Sequence, residues 1–194
     1  MKHDLPWRIV CERPSPIAHQ FAGTRGQPQE PLYPILSRSA ENSRSSVPPT
    51  DLTITTASNA ADMRAFTDCA GASFQHDPSL LEALVNDRVV DDPRFRCYLG
   101  LHGDRCVAIS VGVRESDTVG VYFVGVRPEF RSRGHGATLT EKALSGGYLA
   151  GATTAVLQAT PAGYALYRRM GFEHIGDYHI WDLPTTAESG SHVS

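Results

Sequence analysis

Lysine is almost missing from this chain. Lys2 and Lys142 are the only two, and the rest of the 18 basic residues are arginine. With a formal net charge of −3, that bias reads as source composition and gives no argument for a nucleic-acid or anionic-membrane partner. No apolar run approaches 18 residues, which excludes a transmembrane helix. A signal pattern is missing too: Leu5-Pro6-Trp7-Arg8-Ile9-Val10 is short and interrupted, so a cytoplasmic location is the default. The four cysteines, Cys11, Cys69, Cys97 and Cys106, show neither C-x-x-C spacing nor a paired His pattern, which argues against a metal site. Cys97 and Cys106 fall on two strands of one expected hairpin, and in a cytoplasmic chain they read as reduced core residues.

What is present centres on Val119–Ala137. The β-branched run Val119–Val126 stops at Pro128, which cannot extend a ladder. Arg131-Ser132-Arg133-Gly134-His135-Gly136-Ala137 then leads into Thr138-Leu139-Thr140-Glu141-Lys142-Ala143-Leu144, which reads as a helix. Glycine lets a ligand approach the backbone closely, and the free N–H groups of a first helical turn favour an anion. Arginine adds bidentate reach to phosphate oxygens. The segment therefore reads as a pyrophosphate cradle. It is no P-loop, because no Lys follows Gly136, and no dinucleotide fingerprint, because the third glycine would fall on Leu139.

A second segment, Thr160 to Phe172, carries its own punctuation. Thr160 suits an N-cap, Pro161 the first helical position, and Gly171 the left-handed position past the end, with Arg168 and Arg169 in the last turn. The string R-x-x-G-x-G-A after V-x-P, together with Leu166, Tyr167, Gly171 and Phe172 in L-Y-x-x-x-G-F, resembles the two signature motifs of the GNAT superfamily of N-acetyltransferases. One position departs from the pattern: Thr160 stands where relatives often place a cofactor-contacting Asn.

The resemblance covers residues 51–184 and implies an α+β, GNAT-like fold: a mixed twisted sheet with helices on both faces, in a single domain. Element by element, the sequence reads as a strand at Leu52–Thr55, a helix from Asn59 to Ala72, and another from Ser79 to Val89. Phe95, Cys97, Leu99 and Leu101 alternate as a half-buried strand, as do Val107, Ile109, Val111 and Val113 on the next. Arg133–Ala150 reads as the long helix, with Leu139, Ala143, Gly146, Gly147 and Ala150 on one face; its glycine pair suggests close packing on the sheet or an early end. Residues 1–50 hold eight of the thirteen prolines and several Ser-rich stretches, and read as a largely disordered N-terminal extension. Rival readings of that segment are a leader translated from an upstream start codon and a partner-binding arm using Trp7 or Tyr33. Residues 185–194 read as a polar tail.

The resemblance also implies roles. Val124, Gly125 and Val126 would pair with the pantetheine of acetyl-CoA, the co-substrate, and an N–H near Val124 would polarise the acetyl carbonyl. Arg131, Ser132, Arg133, Gly134, His135, Gly136, Ala137 and Thr138 would surround the pyrophosphate. Tyr167 would give a proton to the leaving thiolate. No acid lies on Val121–Gly125 to act as general base; Asp117, His76, Asp77, His174 and His179 are the candidates that border the acceptor side. The expected activity is transfer of an acetyl or other acyl group to an amine, on a small molecule or a protein, with homodimerisation open. The alternative is a non-catalytic acyl-CoA-binding sensor.

Overall fold

The computed structural model describes residues 7–11, 16, 20, 27–42, 51–75 and 90–183. After the short strand β3 (Thr53–Thr56), Asn59 opens helix α1 (Ala60–Phe74) by accepting bonds from the N–H groups of Ala61 and Asp62 at 2.8 and 3.0 Å. The Asp62 carboxylate reaches back to the Ser58 N–H at 2.8 Å, a reciprocal cap. The expected helix over Ser79–Val89 lies outside the described residues. Strands β4 (Phe95–His102), β5 (Arg105–Glu115) and β6 (Thr118–Val126) then run as a meander. The alternation holds for Phe95, Cys97, Leu99 and Leu101, which join Ile109, Val111 and Val113 in one core cluster with Met63, Phe66 and Cys69 of α1; Val107, expected on the same face, packs in the opposite cluster, past a register shift between Gly100 and Leu101.

On the other face lie helices α2 (His135–Leu149) and α3 (Pro161–Arg169), separated by β7 (Thr154–Gln158) and followed by β8 (Glu173–Leu183). Leu139, Ala143 and Leu144 of α2 and Tyr167 of α3 build the second cluster with Val119 and Val121. The glycine pair of α2 is explained by close packing. A Cβ at Gly147 would stand 2.5 Å from Val119 Cβ, and one at Gly146 would stand 2.0 Å from the Tyr98 hydroxyl. Ala150, expected on this face, is instead the exposed C-cap. The end of α3 is a Schellman turn: Gly171 has φ +84°, its N–H donates to Arg168 O, and that of Phe172 donates to Tyr167 O.

Eight strands form one mixed sheet in the order β1-β8-β2-β7-β6-β5-β4-β3, where β1 is Trp7–Cys11 and β2 is Gln27–Ser39. Every pairing is antiparallel except β6 with β7. The placement of β2 corrects the expectation of a disordered extension over residues 1–50, for the part that is described. β2 sits inside the sheet between β7 and β8. Its Leu36 is fully buried, and Arg38, also buried, forks onto the Glu141 carboxylate at 2.6 and 3.0 Å while donating to Met170 O at 2.9 Å. Prolines hid this strand because each removes a ladder donor. Here Pro28 and Pro34 stand in register opposite Trp181 and Asp177, while Pro31 falls in the register shift between Gln29 and Tyr33; a second shift lies between Ile35 and Leu36. The remainder of residues 1–50 and the tail 185–194 lie outside the described residues.

Candidate active site

The site begins with a break in β6. Ile109 stands opposite Gly125 and Val111 opposite Tyr122, so β6 spends one residue more than β5 between these pairs. That extra residue is a β-bulge, and Phe123 within it adopts φ +50°, a left-handed conformation that bulky side chains disfavour. Side-chain parity flips across the bulge. Val119 and Val121 face α2 before it, Val124 and Val126 face α2 after it, and Phe123 packs with the α1 cluster.

Beside the bulge the sheet opens. β6 and β7 are paired only from Thr118↔Thr154 to Val121↔Leu157. The Arg127 N–H donates to Val107 O at 2.9 Å. By the alternation of an antiparallel ladder, Val126 therefore turns its N–H and C=O away from β5, toward the opening. The Val126 N–H and C=O thus line the opening beyond the last β6–β7 pair, where the C=O accepts from Arg131 Nε.

At the end of that gap, a 3-10 turn over Pro128–Phe130 carries the chain into the loop before α2. Ser132 and Gly134 have φ +62° and +83°, and Gly134 caps α2 with no side-chain bond. The first helical N–H groups are thus left without an intrahelical or side-chain cap, the arrangement that attracts an anion. Gly136 has helical φ, and a Cβ there would make only ordinary contacts, 3.7 Å from Leu166 and 3.8 Å from Val126. Neither strain nor protein packing requires glycine at this position; close approach by a ligand along Val126 would.

The expected arginines act differently from simple phosphate clamps. Arg131 donates to Val126 O at 3.2 Å and to Ser73 O at 2.8 Å, tying the loop to the end of α1. Arg133 lies over the Phe130 ring, 5.1 Å from its centroid. Arg127, which the sequence did not single out, is buried, donates to Cys106 O at 2.8 Å and forms an ion pair with Asp68 of α1. His135 is buried, and its imidazole is held below its usual pKa by desolvation, opposed by Asp51 at 3.7 Å. Thr138 closes the first turn, its N–H and Oγ1 both donating to Gly134 O.

Tyr167 is 9% exposed and stands edge-on to Phe172. Burial pushes its phenol pKa up, partly offset by a hydrogen bond to Thr140; Thr140 Oγ1 in turn donates to Gly136 O at 2.8 Å. The phenol is thereby linked to the first turn of α2. Thr160 serves as the N-cap of α3, accepting from Gly163 N at 3.1 Å.

The candidate bases scatter. Asp117 sits at the opposite end of β6 from the loop, its carbonyl accepting from Thr153 and Thr154. His174 on β8 is bonded to Gly176 O and Asp177, and His179 lies farther along that strand, opposite Cys11. His76 and Asp77 lie outside the described residues. Cys97 and Cys106 are not opposed on their hairpin: Cys97 faces Val111 and Cys106 faces Leu101. The neighbour of Cys106 is Cys69, which together with burial pushes the Cys106 thiol pKa up, and all four cysteines are free.

Residues 93–174 match the Acetyltransferase (GNAT) domain family. Among proteins of curated function, none matches this chain in sequence. Solved structures share the fold. A GCN5-related N-acetyltransferase from Kribbella flavida is 20% identical with TM-score 0.70, over 95% of this chain and 70% of that one. Another from Sphaerobacter thermophilus is 17% identical with TM-score 0.62, over 92% and 59%. AAC(6')-Iy, solved with the bisubstrate analog CoA-S-monomethyl-acetylneamine, is 13% identical with TM-score 0.57, over 63% of this chain and 91% of its own. The bulged strand, the gap beside it, the uncapped helix and the α3 turn all lie in the matched segment, which is similar to the GNAT acetyltransferase domain, and the chain shares the fold of these acetyltransferase structures.

Proposed function

We propose that this protein is an N-acyltransferase that moves an acetyl group from acetyl-CoA to an amine, with the reaction taking place at the β6 bulge. The observation that carries the reading is the gap beside β6 ending at an uncapped helix. A pantetheine arm can add to the exposed edge at Val124–Val126 as a further strand, gaining backbone hydrogen bonds. Its pyrophosphate then reaches the N–H groups of residues 132–137, where the α2 dipole favours negative charge. Gly136 leaves the room that approach needs.

At the bulge, an N–H of Val124 would meet the acetyl oxygen as charge develops on it, the oxyanion-type stabilisation that dominates acyl transfer. Tyr167 would return a proton to the departing thiolate; burial keeps its hydroxyl protonated through the physiological range. The amine loses its proton to water, since none of the described base candidates reaches the bulge. AAC(6')-Iy, with its CoA-linked analog, supports acyl-CoA as the donor. The rival reading, a sensor that binds acyl-CoA without chemistry, shares the cradle and differs in turnover alone.

Thermal denaturation with acetyl-CoA tests the cradle. Ligand at a hundred times its Kd adds roughly 2.7 kcal/mol to stability, and Gly134→Glu should abolish the shift in Tm. An unchanged shift in that variant sinks the loop assignment. Release of thiol with any of a panel of amines, absent without amine, separates the enzyme from the sensor. Tyr167→Phe should lower that turnover by about 10²–10⁴-fold while the acetyl-CoA shift stays.

A further inference from the structure

Three contacts fix the level at which α2 passes the bulge. Ser110 of β5 stands between the pairs Ile109↔Gly125 and Val111↔Tyr122, so it faces the bulged stretch of β6. It is fully buried, and its hydroxyl donates to Leu139 O at 2.7 Å. The two ends of the helix agree with that pin. A Cβ at Gly136 would stand 3.8 Å from Val126, and one at Gly147 would stand 2.5 Å from Val119. α2 therefore runs back along β6. Four helical residues advance about 6 Å, close to two residues of strand, which sets Thr140 level with Val124. Val124 and Tyr167 lie in the same α2-side cluster.

Thr140 is fully buried, and its hydroxyl is shared between two oxygens, Gly136 O and the Tyr167 phenol. A hydroxyl carries a single proton. In the free protein that proton goes to Gly136 O at 2.8 Å, so the bond between Thr140 and Tyr167 uses the proton of the phenol. Gly136 O lies inside the helix and takes the Thr140 N–H by the ordinary backbone bond as well. It therefore keeps a donor when the Thr140 hydroxyl turns away. Among the described residues, burial and Thr140 are what act on the phenol, and no charged side chain adds to them.

Resting on the acyltransferase reading above, we propose that Thr140 is the positioning residue of the acid step: it holds the Tyr167 hydroxyl level with the bulge, then turns its own proton to the phenolate. As the C–S bond breaks, the bonding pair stays on sulfur and Tyr167 gives its proton there, forming the thiol. The Thr140 O–H rotates from Gly136 O to the phenolate oxygen, where a hydrogen bond to charge is stronger than one to a neutral carbonyl. The proton that the amine gave to water then returns to Tyr167, and the Thr140 hydroxyl swings back. No further reactant is needed. Thr140 touches neither substrate; it acts through Tyr167 alone.

The phenol can be followed without any substrate. In protein labelled with 3-fluorotyrosine, the Tyr167 signal in fluorine NMR is the one missing from Tyr167→Phe, and the fluorine brings its titration to an accessible pH. Thr140→Val keeps the shape and removes the hydroxyl. It should raise the Tyr167 pKa by about one to two units, the worth of one hydrogen bond to a charged oxygen, and Thr140→Ser should restore the wild-type value. Thiol release from acetyl-CoA with 2-phenylethylamine, glucosamine and spermidine gives the second readout. Thr140→Val should lower kcat about 10–100-fold, with the acetyl-CoA shift in Tm unchanged, and Thr140→Ser should recover most of it. In the Tyr167→Phe background, Thr140→Val should cost nothing further. Should the Val variant not fold, Thr140→Ala removes the same hydroxyl and carries the same expectations. A phenol that titrates as in wild type overturns the proposal, and so does an equal loss of kcat in both backgrounds, which marks a packing role. No turnover with any of the three amines, while the phenol shifts as stated, brings down the acyltransferase reading and the acid step with it. Turnover with an unmoved phenol brings down the role of Thr140 alone.

Discussion

The two ends of α2 carry glycines for opposite reasons. At the C-terminal end, Gly146 and Gly147 are jammed against Tyr98 and Val119, and any side chain would collide with the sheet. In the first turn, Gly136 has ordinary space around it and an ordinary helical backbone, so the protein alone gives no cause for glycine. One end is glycine because the fold is tight there; at the other, the proposed approach of acetyl-CoA is what would call for glycine. Midway, Glu141 anchors the helix to the buried Arg38 of β2.

The largest effect is expected at that midpoint. Glu141→Gln leaves the Arg38 guanidinium buried without its charge partner, which should cost about 3–5 kcal/mol in urea unfolding. The double variant Arg38→Met with Glu141→Leu should recover most of that loss, because an apolar pair of similar volume avoids the desolvation of two charges. Failure to recover would mean that the guanidinium's bond to Met170 O, not the ion pair, holds β2 in place. Next comes Gly147→Ala, which should lower stability by about 1–3 kcal/mol through overpacking, with the acetyl-CoA shift intact in the folded protein.

Gly136→Ala should do the reverse. The free protein should be as stable as wild type or up to ~1 kcal/mol more so, since alanine is the better helix former, while affinity for acetyl-CoA falls. If Gly136→Ala destabilises and spares binding, the contrast between the two ends collapses. The smallest effect concerns His135. Its folded pKa lies below the ordinary value of 6.5 because of desolvation, so the unfolded chain binds the extra proton first. Stability should therefore be full above pH 6.5 and decline as pH falls through it. His135→Asn should flatten that part of the pH profile, measured by Tm between pH 5 and 8.

Legibility in the sequence followed local physics. The start of α1 near Asn59, the cap at Thr160, the Gly171 turn, the alternation along β4 and the glycine pair of α2 all express rules that act within a few residues, and each was readable. The succession of strand, loop and helix over Val119–Leu144 was readable for the same reason. The bulge was not, because Phe123 in a left-handed conformation goes against its own propensity and is held there by the surrounding sheet. One inserted residue reverses every later side chain on the strand, so plain alternation from Val119 and Val121 would turn Val124 and Val126 away from α2, the face they occupy. β2 failed for another reason. Its proline content speaks against a strand, while its partners β7 and β8 lie far along the chain, where no window of neighbouring residues can see them. Even so, Leu32-Tyr33-Pro34-Ile35-Leu36 is an apolar run in an otherwise polar region, the one signal that was available.

That distance also bears on how the chain is made. Arg38 leaves the ribosome well before its partners: Glu141 follows 103 residues later and Met170 132 residues later. At roughly 5–20 residues per second, β2 waits about 7–26 s for Met170 alone. During that interval it is an unpaired strand carrying Leu36 and Ile35, the kind of edge that recruits other chains. Pro28, Pro31 and Pro34 lie along the same strand. Each removes an N–H that a stray partner would need, so the residues that obscure β2 in the sequence also keep it single until β7 and β8 arrive.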